Sequence, residues 1–162
     1  MKELTEQIRI HDLKKCSPQD LEAITSLLIT TRTLIILAKQ KRTASCIQSW
    51  IMHAFGIGNG ILAINTTYND NTKFLALLYI PLILFFAHIG FQANNVSQTT
   101  KKELHDYQDK YKSLTDIIQH VPPQEIHDIA KIYRTEISKN KEADITPATL
   151  KAIQYILIKY QR

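Results

Sequence analysis

Charge is what this sequence lacks over long stretches. No Lys, Arg, Asp or Glu occurs in residues 43–69 or in residues 74–100, two windows separated only by Asp70, Asn71, Thr72 and Lys73. The other 108 of the 162 residues hold all 20 basic and all 15 acidic side chains. At an even 22% charge, one such window would arise by chance roughly once in a thousand. Segregation of this kind points to a bilayer acting as solvent. Cysteine is almost missing too: Cys16 and Cys46 stand thirty residues apart, which excludes a CxxC pair, a Cys/His zinc spacing and a disulfide framework.

Glycine is scarce at four residues, and no P-loop, GxSxG, HExxH or paired-carboxylate motif can be found. Gly56-Ile57-Gly58-Asn59-Gly60 lacks the full dinucleotide pattern and follows no strand, so packing explains it better than phosphate binding. Asp106, Asp109 and Asp116 read as a solvated helix face rather than a metal site. The chain is therefore expected to be no enzyme and to need neither cofactor nor metal. The opening MKELTEQIR has no apolar run of a signal peptide, which predicts a retained N-terminus. The net charge of +5 forms no phosphate-tracking stripe, because Lys and Arg alternate with Asp and Glu, and nucleic acid is not an expected partner.

What is present is a pair of spans. Phe74 to Phe91 reads FLALLYIPLILFFAHIGF, about 27 Å of helix, in which Pro81 is tolerable only because a membrane helix accepts a kink. Trp50 to Ile64 reads WIMHAFGIGNGILAI. On a helix, Trp50, Ala54, Ile57, Ile61 and Ile64 fall within about 80° of each other, and Gln48, Met52, Asn59 and Thr66 fall opposite. Gly56 and Gly60 form a GxxxG beside that polar line, which suits close helix packing. The turn-forming residues 68–73 leave room only for a tight antiparallel hairpin. Lys39, Lys41 and Arg42 precede it, Lys101 and Lys102 follow it, and the positive-inside rule then puts both termini in the cytoplasm of a cell's inner or plasma membrane.

The flanks read as helices. Ser17-Pro18-Gln19-Asp20 is a helix start with a Ser cap and Pro at the first position. Residues 21–38 suit an amphipathic helix at the interface or packed on the hairpin, with a third span as the alternative. Leu104, Tyr107, Tyr111, Leu114, Ile118 and Val121 recur at heptad spacing and predict a coiled-coil seam that Pro122-Pro123 ends. Its partner is either another helix of this chain or a second copy. Two more helices follow, one through Ile126, Ile129, Tyr133 and Ile137, the other from Thr146-Pro147. The expectation is all-α, one unit over 1–162: a cytoplasmic or interfacial helix at 1–42, a two-span hairpin at 43–100 and a cytoplasmic helical region at 101–162. His53 and His88 are the titratable side chains inside the spans, and His88 shares a face with Pro81, Gln92 and Asn95 that would suit a wet path. Each histidine is also explained by a hydrogen bond to a carbonyl or a neighbouring amide.

The order of parts resembles a SLATT domain, the two-transmembrane effector module of bacterial conflict and nucleotide-signalling systems. The likeness is carried by LAKQKR at 37–42 before the first span, VSQTTKKELHDYQDKYKSLTDII at 96–118 with its Tyr111 and Leu114, and DITPATLKAI at 144–153. It implies a defence effector that oligomerises and opens a membrane pore when a sensing partner is triggered. Gln48, Met52, Asn59 and Thr66 would then line the pore, with Gly56 and Gly60 packing alongside. The collars Lys39, Lys41, Arg42, Lys101 and Lys102 would meet anionic headgroups. Such an effector needs a dormant state and a trigger from another molecule. The competing readings are a membrane-anchored adaptor, whose cytoplasmic helices bind a partner, and a soluble bundle with a buried hairpin.

Overall fold

The computed structural model describes residues 16–67, 73–140 and 144–160. They form four helices and, among the described residues, no strand: α1 (Pro18–Thr67), α2 (Lys73–His120), α3 (Pro123–Lys139) and α4 (Thr146–Tyr160). Both α1 and α2 are long and apolar enough to cross a membrane.

The helix starts and stops follow local chemistry. Ser17 Oγ accepts the Asp20 N–H at 3.2 Å and donates to Asp20 Oδ2 at 2.7 Å, closing the first turn of α1. No glycine or further proline interrupts α1 until Gly56, so the interfacial helix and first span expected as separate pieces are one helix of 50 residues. The basic LAKQKR segment does not break it, because Ala, Leu, Lys, Gln and Arg are all strong helix formers. Pro81 lies inside α2 without ending it. Pro122 and Pro123 end α2 and start α3, and the Asp144 carboxylate accepts the Thr146 N–H at 2.8 Å at the start of α4.

The chain divides into two compact units: residues up to Ile36 with those from His105 onward, and Leu37–Leu104. In the first unit Ile24, Leu27 and Leu28 of α1 join Leu114 and Ile118 of α2, Ile126 and Ile129 of α3, and Ile153 and Ile156 of α4 in one core. Each fully buried aliphatic side chain here contributes about 2 kcal/mol. The apolar face of residues 21–28 is thus covered by the chain's own helices. So is the lower half of the heptad seam, for Leu114 and Ile118 belong to the same core.

The second unit has the opposite character. Its large apolar side chains point outward: Trp50, Phe55, Ile57, Ile61, Ile64, Leu84, Phe85 and Phe91 are all more than half exposed. Apart from Leu104 at its edge, what it buries is small, namely Ala38, Ser45, Gly90, Ala93, Ser97 and Thr100. The last four continue the 3,4 spacing of the heptad seam upstream, so one register runs from Gly90 to Val121. An inside-out distribution of this kind, small within and greasy without, suits helices surrounded by lipid.

Candidate functional site: the polar seam of the hairpin and a buried charge cluster

Within the Leu37–Leu104 unit, several contacts between described residues tie α1 to α2. Cys46 Sγ and Ser97 Oγ are 2.9 Å apart, and Ser49 Oγ donates to the Gly90 carbonyl at 3.1 Å. The rings of Phe55 and Phe86 stack with centroids 5.5 Å apart. The tightest approach is at Gly90, where an added Cβ would lie 2.8 Å from His53 Cε1 and Nδ1 and 3.4 Å from Met52 Cβ. His53 is held there by its own Nδ1–H bond to the Ser49 carbonyl at 2.7 Å.

The GxxxG glycines have looser surroundings. A Cβ at Gly56 would make ordinary contact with Phe86 Cβ at 3.8 Å, and one at Gly60, as at Gly58, would meet nothing within 4 Å. Gly58→Ala and Gly60→Ala are accordingly expected to change hairpin stability by less than about 1 kcal/mol, with the better helix propensity of Ala on the favourable side. Unfolding of each variant in mixed micelles against increasing dodecyl sulfate checks this.

The four residues of the expected polar line do not share one environment. Gln48 is exposed, whereas Met52, Asn59 and Thr66 are half-buried. Asn59 Nδ2 donates to the Phe55 carbonyl at 2.8 Å, and the Thr66 hydroxyl lies 3.0 and 2.9 Å from the carbonyls of Leu62 and Ala63. These polar groups are satisfied by their own helix, which is what hydrocarbon demands. On α2, Gln92 Nε2 donates to His88 Nε2 at 2.8 Å. His88, Gln92 and Asn95 fall within about 60° on the helix and are all exposed. Among the collar residues, Lys39, Lys41, Lys101 and Lys102 are exposed and Arg42 is half-buried.

The other unit holds a charge cluster that the sequence does not announce. The Asp20 side chain, only 5% exposed, accepts from His127 Nδ1 at 2.9 Å and Arg134 Nη2 at 2.7 Å, besides Ser17. Hydrogen bonds from His127 and then Ser17, with Arg134 adding to them, hold its carboxyl down at about 2. Ser26 Oγ and Tyr133 Oη, 3.1 Å apart, form a second tie between α1 and α3. Glu136, also nearly buried, takes Lys139 at 2.8 Å and Lys151 at 3.6 Å, and the hydrogen bond from Lys139 lowers its pKa. Burial, then the neighbouring Asp20 charge, pushes the Cys16 thiol up. Asp20 was legible as a capping residue, but partners 107 and 114 positions away give no local signal. Gly90 had one clue, as the lone glycine of the second charge-free window.

Among the described residues, no group of three His, Cys, Asp or Glu side chains is placed to hold a metal ion. No family model, curated protein or solved structure matches the chain.

Proposed function

We propose that this chain is an integral membrane effector that oligomerises and forms or gates a pore. In this reading α1 and α2 insert as an antiparallel hairpin, with both termini on the cytoplasmic side. Membrane insertion is supported by the exposed apolar side chains of the Leu37–Leu104 unit and by the self-satisfied polar groups of α1. The positive collars, Lys39 to Arg42 and Lys101 to Lys102, support the orientation.

The observation that carries assembly is the exposed line His88, Gln92 and Asn95 on α2. Polar side chains at the edge of a lipid-facing surface are stabilised when water or a second copy covers them. Several copies of α2 turned toward a common axis would provide both. The SLATT-like order of parts supports the same reading, and a sensing partner would then supply the trigger.

A second reading, an anchored adaptor, is favoured by the half-buried and self-bonded state of Met52, Asn59 and Thr66. In that case the polar face of α1 only packs, and the helices beyond the membrane bind a partner.

Dye and potassium release from liposomes, at several protein-to-lipid ratios, separates the two. The expected result is release that rises faster than linearly with protein, survives Asn59→Leu, and falls to background in Gln92→Leu. Vesicles that stay tight at every ratio, with insertion verified by protease protection, would leave the adaptor reading.

A further inference from the structure

We infer that Arg42 of α1 and Lys101 of α2 form a binding site for the phosphate of an anionic phospholipid headgroup, flanked by Lys39 and Lys102. This rests on the reading of residues 43–100 as a membrane hairpin and names the lipid that the hairpin selects.

The first ground is where the charge sits. Residues 37–104 contain six basic side chains and two acidic ones, whereas the rest of the chain has fourteen against thirteen. Nearly all of the net +5 therefore belongs to the spanning unit. The second ground is pairing. Away from this unit, five of the eight described Lys and Arg side chains (Lys110, Arg134, Lys139, Lys151 and Lys159) sit within 4 Å of a carboxylate, and Arg32, Lys112 and Lys131 do not. The side chains of Lys39, Lys41, Arg42, Lys101 and Lys102 make no hydrogen bond or ion pair with another described residue, and Glu103 is the one carboxylate among the described residues of 37–104.

The register of the hairpin puts two of these residues at one level. Cys46 Sγ and Ser97 Oγ touch at 2.9 Å across the hairpin. Arg42 is four residues before Cys46, and Lys101 is four after Ser97. In an antiparallel pair both steps lead the same way, by one helical turn of about 5.4 Å. The backbone positions of Arg42 and Lys101 thus stand at about one level on the paired helices, and Arg42 is half-buried there. Two cations at one level on neighbouring helices repel, and an anion between them removes the repulsion while accepting hydrogen bonds from both.

The level also chooses the anion. Arg42 and Lys101 are the first charged residues beyond the two charge-free windows, and Ile47, just over one turn from Arg42 toward the membrane, is 55% exposed. A phosphodiester with acyl chains satisfies the cations and covers the apolar surface below them, which a free phosphate does not.

Trp50 is the protein's single tryptophan, 78% exposed, and about 12 Å along α1 from Arg42. It reports which lipids surround the hairpin. The full-length protein is reconstituted into zwitterionic vesicles doped with equal mole fractions of brominated phosphatidylglycerol or brominated phosphatidylcholine. The expected result is a preference for the anionic lipid of about fivefold in relative association, the size of one basic contact near a charged surface. It should vanish in the R42Q/K101Q double variant and persist in K131Q, which removes a lysine of the other unit. Equal quenching by both lipids in the wild type overturns the site, as does an equal loss in K131Q. Quenching by neither lipid would instead overturn the membrane reading itself.

Discussion

Asp20→Ala should destabilise the unit built around α1, α3 and α4 by about 2 kcal/mol at neutral pH. The size follows from the carboxyl itself, held at about 2 against an ordinary 3.8 by His127, Ser17 and Arg134. A carboxylate whose native pKa is depressed contributes its stability above the unfolded value and loses it as pH falls through the native one. The wild-type protein is therefore expected to lose this contribution between about pH 4 and pH 2, and Asp20→Ala should flatten that part of its stability profile. Loss of the buried partner leaves Arg134 and His127, which are 40% and 60% exposed and can return to water, so the larger penalty of a stranded buried charge does not apply. Thermal unfolding in detergent, followed by circular dichroism across that pH range, measures both effects. An unchanged midpoint at pH 7 would mean that the cluster only decorates the helix start.

Gly90→Leu should cost the hairpin at least as much, about 2–3 kcal/mol, by overpacking. A side chain there meets the His53 ring and the Met52 Cβ. Moving the ring aside would disturb its bond to the Ser49 carbonyl, and the Ser49 bond to the Gly90 carbonyl lies in the same contact. Gly90→Ala should cost less, since a methyl group improves helix propensity by about 1 kcal/mol while still colliding with the ring. Combining either change with His53→Ala should recover much of the loss, a coupling that a double-mutant cycle in dodecyl sulfate unfolding would read directly. Additive effects would show that His53 does not pack on Gly90.

Much of this architecture was readable beforehand, and the parts that were not have physical reasons. The charge gaps, the Ser17-Pro18 start, the Pro122-Pro123 stop and the seam from Leu104 to Val121 depend on local composition or on spacing. The fusion of the interfacial helix with the first span was hidden, because a cluster of charge looks like a boundary although Lys, Gln and Arg propagate a helix. The seam's extension from Leu104 back to Gly90 was hidden for a different reason. It is built from Ala93, Ser97 and Thr100, whose value lies in being small, and hydrophobic periodicity does not register small polar residues. The polar line on α1 is legible in the spacing, but its composition does not reveal that Asn59 and Thr66 bond to carbonyls one turn back while Gln48 stays exposed. The Asp20 cluster needed the third dimension altogether.

The hydroxyls and amides of the hairpin have one more consequence. Thr43, Asn59, Thr66, Thr67, Thr99 and Thr100 all donate to carbonyls within four residues on their own helix. A helix that carries its partners with it breaks no bond when it slides along the membrane normal. Under the membrane reading proposed above, these bonds set no limit on immersion depth, which is left to the charged collars and the thickness of the bilayer, so a thinner or thicker membrane would be met by vertical adjustment rather than by unravelling.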